Sequence, residues 1–496
     1  MTRVGVIVTV GIAILIGIGV VVGAAIPLSG VAPLVLAAAV LLLVAIVWTR
    51  RGGLVSPVPM VALAALLYFP LRGLLLVVVG LSNQDGVNPI VTHLLGTDAE
   101  AQTAMLVLYV ALAFAVGTEA VWRFRPRKRP PDKQDNTEAA DDRWPLVVMG
   151  IGLVGQAAQI DAQLSFLEGQ TLTGGFLVQL VQLAGFGLGL GIVLLPRKNL
   201  RRGYLTVVWA MVLAGVVVAL ASGSKEILFE IVLALLLSNL LPTLRSGSMR
   251  ASHDLKTLAF VVGVSAIIVL VAFPAITAFR QQIQAGVPVV SAIAGTPGVM
   301  VQNSIILGTP RADPSFGGYL KDAGLYATTR TSGFDLLMIT VAASRNPAVL
   351  TVQSLLFMPI GVFLPSSYWS TGVQDVGFYF AQNYWGSSPS NNTHVAITVF
   401  GQAYLAFGTV GSILAAFAVG ALAALAGWYA LGSTPSRRGL AFILVVAALA
   451  FERDVLNIVV PTERRLILLW LVLLFFRISR ERAARGSMTT SAAVPN

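Results

Sequence analysis

The sequence predicts an all-α polytopic membrane protein: about twelve transmembrane helices and one large extracytoplasmic loop containing short helices. Three observations predict it. First, 56% of the 496 residues are hydrophobic and only 11% are charged, against about 25% charged in a typical soluble domain. Such a chain could not cover a soluble surface with polar groups. That excludes a soluble enzyme, a disordered chain and a simple nucleic-acid binder, so no nucleic acid is expected as a partner. Second, the apolar runs are continuous over roughly 17–25 residues, the thickness of a bilayer core, and do not show the ~10-residue alternation of barrel strands. Third, Lys and Arg are distributed unevenly between alternate connections.

Taken in order, the first run, 4–26, is too long for a signal-peptide core and lacks a convincing cleavage site, so it is read as a span. The others are 31–48, 54–80, 102–122, 145–160, 174–196, 204–221, 226–243, 258–279, 409–431, 440–460 and 464–478. With the N-terminus in the cytoplasm, 23 of the 33 Lys and Arg fall inside and nine outside, leaving Arg72 within a span. This puts both termini in the cytoplasm, and the Ala/Val/Gly richness with mostly Arg as the basic residue suggests a GC-rich bacterial source. Three regions follow: a nine-span bundle over 1–279, an outside loop over 280–394, and the final spans with a basic tail over 395–496.

The cytoplasmic loop 123–144 is basic, then proline-rich, then acidic. It is expected to fix topology and touch anionic headgroups of the lipid bilayer. The outside loop is roughly 115 residues long, far beyond an ordinary connection, which makes it the expected catalytic region. Its apolar run Pro347–Phe363 is read as a helix lying in the interface.

Charged groups within or beside spans are functional candidates. Arg72 and Glu230 lie at similar depth, so they either pair or line a polar pocket. Ser222-Gly223-Ser224-Lys225-Glu226 is an outward turn leading into a helix N-terminus. Free N–H groups there attract phosphate, and Lys225 adds charge; a plain polar turn is the alternative. Arg280, Arg330 and Arg345 punctuate the outside loop, and arginine is suited to bidentate capture of phosphate. Arg311 lies outside any motif. Glu452-Arg453-Asp454 and Glu463-Arg464-Arg465 put charges at the outside ends of the last two spans, to pair among themselves or line the site. Tyr368, Trp369, Tyr384 and Trp385 either form an interfacial belt or stack on sugar rings. Cysteine is absent, which removes disulfide and thiolate chemistry. His93, His253 and His394 are too dispersed for a metal cluster. No metal and no cofactor is expected.

Three segments together resemble the oligosaccharide repeat-unit polymerases, the O-antigen polymerase-like membrane glycosyltransferases. They are the turn at Ser222–Glu226, the segment Arg330-Thr331-Ser332-Gly333-Phe334-Asp335-Leu336-Leu337, and the loop end. In that loop end Gly401-Gln402-Ala403-Tyr404 and Phe407-Gly408-Thr409-Val410-Gly411 look like the family signature, with Gln402 where an acid is frequent. The resemblance covers about Ser222 to Asp454. It implies a multi-helix fold of the GT-C type with chemistry on the outer face and no nucleotide sugar. Donor and acceptor would both be oligosaccharides on undecaprenyl diphosphate, with a chain-length regulator or flippase as further partners.

For that reaction the leaving group is a lipid diphosphate, whose developing charge must be stabilised. Lys225, Arg280, Arg330, Arg345 and Arg453 are the expected phosphate ligands. The attacking sugar hydroxyl needs a base, with Asp335 expected first and His394 second. Tyr368, Trp369, Tyr384, Trp385 and Tyr404 are the expected sugar contacts. A ligase that moves finished glycan to a different acceptor is the nearest alternative, and a flippase or exporter of lipid-linked sugars is the alternative from another class.

Overall fold

In a computed structural model, the structure describes residues 30–52, 56–81, 87–124, 144–160, 176–195, 202–222, 225–238, 263, 271–304, 311–350 without 312, 314, 331 and 344, 376–385, 395, 397–430 and 434–491. Among them the regular elements are all helical. In chain order these are α1 (Val31–Gly52), α2 (Pro57–Val79), α3 (Pro89–Leu94), α4 (Asp98–Phe124), α5 (Trp144–Ala158), α6 (Phe176–Gly185), α7 (Gly187–Leu194), α8 (Arg202–Ala221) and α9 (Lys225–Leu237). They continue with α10 (Phe273–Gln284), α11 (Val289–Gln302), α12 (Phe316–Arg330), α13 (Gly333–Ala342), α14 (Val376–Asn383), α15 (Val399–Ala430), α16 (Pro435–Leu449) and α17 (Val455–Ser491).

Five described helices are long and apolar enough to cross a membrane: Val31–Arg51 within α1, α2, α4, α8 and α15. Four of them coincide with expected spans. In α15, 32 residues run through a break at Gly408, with φ 67° and ψ −155°, so the expected span at 409–431 is its second arm. Two other boundaries move. The expected span 174–196 is split at Phe186, between α6 and α7. The expected span 440–460 ends early: α16 closes in a 3-10 turn at Ala450–Glu452, and α17 begins at Val455 rather than 464. The reason is local. Asp454 accepts hydrogen bonds from the Asn457 N–H at 2.9 Å and from the Asn457 side chain at 2.7 Å, which starts a new helix. The expected first span, the loop 123–144 except its two ends, most of 258–279 and the run 350–363 beyond its first residue lie outside the described residues.

The chain divides into two compact units. The first comprises Met1–Arg125, Gly247–Gly427 and Ala447–Val460. Its core gathers α1, α2, α4, α13 and the first arm of α15 around Phe69, Phe334, Phe400 and Phe451. Three of these rings, Phe69, Phe400 and Phe451, lie 5.4–5.9 Å apart. Helices α4 and α15 approach closely because each presents a glycine to the other's backbone. A Cβ on Gly117 would overlap the Phe417 carbonyl, and one on Gly420 would overlap that of Phe114. Small residues at such crossings are the usual way for apolar helices to associate by packing alone.

The second unit comprises Pro126–Ser246, Trp428–Val446 and Pro461–Asn496. Its described core includes Val148, Leu190, Leu194, Ile443, Leu468 and Leu469. Arg438 donates to the Val193 carbonyl at 3.2 Å and the Leu195 carbonyl at 2.6 Å, capping the end of α7 with a cation.

Candidate active site

Helix α2 is the foundation of the first unit's polar centre. Pro70 lies within it and has no N–H to give to the ladder. The helix widens to π geometry over Leu67–Leu71 and again over Leu75–Val79, bracketing Arg72. Such widened turns often mark functional positions. Tyr68 and Arg72, four residues apart, both leave this segment toward partners far away in sequence.

Arg72 is almost wholly buried at 1% exposure, and Asp335 at 2%. The guanidinium grips the carboxylate with two parallel bonds, Nε to Oδ1 at 2.9 Å and Nη2 to Oδ2 at 2.7 Å. Asp335 sits in the first turn of α13, all of whose residues from Gly333 to Thr340 are buried. Part of the expected outside loop is therefore a helix embedded in the core of the first unit. Nη1 of Arg72 has no hydrogen-bond partner among the described residues. Tyr68 donates its hydroxyl hydrogen bond to Glu452, in the turn before α17.

Two expectations change here. Arg72 pairs with Asp335, and Glu230 accepts from Arg465 within the second unit. The expected pairing of Arg72 with Glu230 is thus replaced by one pair in each unit. The second concerns Asp335: both its oxygens are committed to Arg72 in the buried core, which places it poorly for a general base. Its position is that of an anchor for α13.

Just beyond α13, Arg345 is exposed. Its guanidinium lies against Gly408, where a Cβ would come within 2.8 Å of Nη2. Only glycine suits this point, because φ is positive and the space is taken. The neighbouring Asn346 donates its N–H to the Leu405 carbonyl at 3.0 Å and its amide to the Tyr379 hydroxyl at 2.8 Å. Gln402, fully buried, donates to the Val349 carbonyl at 3.1 Å and accepts the Val455 N–H at 2.7 Å. This gives a physical reason for an amide where the resembled family often has an acid. The position needs one donor and one acceptor, and an ionised carboxylate offers only acceptors.

The expected phosphate ligands are distributed as follows. Arg280 is half-buried on α10, Arg330 ends α12, Arg345 lies at the Gly408 break, and Arg453 is half-buried between α16 and α17. All four belong to the first unit, and Lys225, which opens α9, belongs to the second. The side chains of Arg330 and Lys225 lie outside the description, as do Tyr368, Trp369 and His394 entirely. Tyr404 is half-buried on α15. Tyr384 and Trp385 follow α14. The Tyr384 ring meets Tyr379 edge-on at 5.9 Å. Burial, then a hydrogen bond with Tyr379, pushes its hydroxyl up to about 12, so it stays neutral and able to donate at ordinary pH.

Arg311, outside any sequence motif, has a structural role. It donates to the carbonyls of Met300, Val301 and Asn303 at 2.8–3.0 Å and to Asp322 at 3.3 Å, and it lies over the Tyr319 ring at 5.2 Å. It clasps the end of α11 to α12. Burial raises the Tyr319 hydroxyl against the opposing pull of Arg311. In the same connection, hydrogen bonds from Ser315 hold the Asp313 carboxyl below its ordinary value.

In the second unit, Arg465 serves Glu230 and also Glu226 at 3.4 Å, with its guanidinium 4.2 Å from the Phe186 ring centre. Arg464 donates to Gln182. Gln156 donates to the Gly185 carbonyl at 3.0 Å, beside the break between α6 and α7.

Helices of this length and apolarity, with charges buried between them, define an all-helical membrane protein. Compared with protein-family models, curated proteins and solved structures, the chain matches none of them.

Proposed function

We propose that this protein is a membrane glycosyltransferase that polymerises oligosaccharide repeat units carried on undecaprenyl diphosphate. It would work at the outer face of a bacterial cytoplasmic membrane, with about twelve spans and both termini inside. The observation that carries this reading is the meeting of two motif segments in one unit. The segment containing Asp335 is anchored on Arg72, and the chain that leaves it brings Arg345 onto Gly408 of the Gly401–Gly411 segment. An exposed arginine is thereby held beside a helix break by a buried ion pair.

In the proposed reaction the acceptor hydroxyl attacks the donor's anomeric carbon. The bond to the diphosphate oxygen breaks, and its electron pair leaves with the lipid diphosphate. Arg345, with Arg280, Arg330 and Arg453, would neutralise that leaving group, and Lys225 remains a further proposed phosphate ligand. With Asp335 committed to Arg72, His394 becomes the proposed acceptor of the hydroxyl proton. Tyr384, Trp385 and Tyr404, together with Tyr368 and Trp369, would contact sugars.

The deciding experiment is the lipid-linked product pool of a deletion strain. Accumulation of single repeat units, reversed by the intact gene, is the expected result. Accumulation of long lipid-linked polymer would make the protein a ligase instead. Repeat units trapped on the cytoplasmic leaflet would make it a flippase.

A further inference from the structure

Helices α10, α11 and α12 of the first unit enclose polar contacts beside a small apolar cluster of Phe273, Tyr319, Ala323 and Tyr326. Gln282 of α10 donates to the Ala292 carbonyl at 3.1 Å and the Thr296 hydroxyl at 3.3 Å of α11. Thr277 and Tyr326 share a hydrogen bond of 2.8 Å between α10 and α12. Asp322 of α12 accepts from Ser304 and from Arg311.

The outward surface is the apolar one. On α11, Val290 is 80% exposed, Ile293 51% and Val301 55%. With Pro297, also exposed, they recur at spacings of three and four and so form one stripe. The opposite side carries Ala292, fully buried, and Thr296. On α12, Phe316 at 74% exposure and Leu320 at 39% repeat the pattern one turn apart. In water a contiguous exposed apolar stripe of this kind is unfavourable. In hydrocarbon it is the favourable one, because polar groups must be satisfied within the protein.

The charges agree. From Ala285 to Ser304 the sequence has no Asp, Glu, Lys or Arg. Charge reappears only at Arg311, whose guanidinium is turned inward onto backbone carbonyls and Asp322. The surface also adjoins an apolar stretch in the sequence. Helix α10 follows directly from the apolar stretch 258–270, and Val271 at its threshold is 51% exposed.

We propose that the α11–α12 face is a lipid-contacting surface. Val290, Ile293, Val301 and Phe316 rest in the acyl region of the outer leaflet, while the connection around Asp313 stays in water. A region that by sequence belongs to an aqueous loop is thereby part of the protein's membrane footprint. The proposal takes its side of the membrane from the topology proposed above and is independent of the reaction.

Because the chain has no cysteine, single-cysteine nitroxide labelling reads this directly. The full-length protein would be reconstituted in phosphatidylethanolamine and phosphatidylglycerol vesicles, with labels at Val290→Cys, Ile293→Cys, Val301→Cys, Phe316→Cys and Asp313→Cys. Collision rates with oxygen and with a water-soluble nickel chelate would be compared. Lipid contact predicts oxygen well above chelate at the first four positions and the reverse at Asp313. Chelate dominating at Val290 and Ile293 would mean that the face is in water. Low rates for both reagents would mean that protein covers it. Either outcome overturns the proposal. All five positions are exposed, so each substitution leaves packing intact, and a monodisperse elution profile is the check.

Discussion

The first unit's buried ion pair and that of the second solve the same problem differently. Arg72 is matched to a single carboxylate, Asp335, through two bonds, and the pair joins segments 263 residues apart. Arg465 is shared by two carboxylates one helical turn apart on α9, Glu226 and Glu230, with an aromatic ring against its face. One arrangement is exclusive and the other redundant. Exclusivity suits a contact that must hold a chain segment in one register, since losing either partner leaves a lone buried charge. Redundancy suits a contact that only has to keep an arginine satisfied among apolar helices.

The largest expected effect follows from exclusivity. Asp335→Ala strands the Arg72 guanidinium in the core, and breaking such a pair costs about 3–5 kcal/mol. Thermal unfolding in detergent should show a large loss of stability. Arg72→Met combined with Asp335→Leu should recover most of it, because two apolar groups no longer bury a lone charge. If the double variant is no more stable than Asp335→Ala, the cost lies in something other than the orphaned charge.

Gln402 extends the contrast with a neutral group. It is again a single residue joining distant segments, Val349 and Val455. Gln402→Leu leaves the half-buried Val349 carbonyl and the buried Val455 N–H without this partner, at about 1–3 kcal/mol for the buried group. Gln402→Glu keeps the acceptor but loses the donor and buries a charge, so it should be at least as harmful. A neutral result for Gln402→Glu in the same melt would mean that the position tolerates the acid common in the resembled family, and the explanation offered for the amide would fail.

How much of this was legible in the sequence depended on distance along the chain. The apolar runs gave α1, α2, α4, α8 and the second arm of α15 directly, because a span declares itself within some twenty residues. Partners did not declare themselves. Similar depth suggested Glu230 for Arg72, and depth carries no information about a helix returning from a loop. One signal was present: Asp335 opens the run Leu336-Leu337-Met338-Ile339-Thr340-Val341-Ala342, too apolar for a solvated loop and too short for a span. Arg311 belongs to no motif because its partners are mostly backbone carbonyls, which a sequence cannot distinguish. The role of Gln402 is likewise set by a carbonyl and an N–H, invisible as residue types.

A smaller effect is expected in the second unit. Glu230→Gln keeps an acceptor for Arg465, and Glu226 keeps a charge beside it. The loss should be about 1 kcal/mol, near that of one ordinary hydrogen bond. Adding Glu226→Gln removes the reserve, and the double variant should fall by more than the sum of the two single effects. Simple additivity would show that the two carboxylates act separately and that redundancy is the wrong description.

The smallest effect on stability is expected at Arg345, and it is the most useful for function. The side chain is exposed and its guanidinium rests on a glycine, so Arg345→Ala should move stability by no more than about 0.5 kcal/mol. The same variant should slow polymerisation by about 10- to 100-fold, because a charge-assisted phosphate contact is worth roughly 1.5–3 kcal/mol and each 1.36 kcal/mol is tenfold in rate. Arg345→Lys should restore part of the rate, since a point charge replaces a bidentate fork incompletely. Arg311→Ala would not be a silent control, because it opens the clasp between α11 and α12. Arg477, exposed on α17, is the better one. Polymer length and rate measured at equal membrane abundance separate the possibilities. A stable Arg345→Ala protein that polymerises like Arg477→Ala would remove Arg345 from the phosphate site. One that is lost from the membrane would show that its contact with Gly408 holds the fold, which would place Arg345 with Arg72 among the anchors.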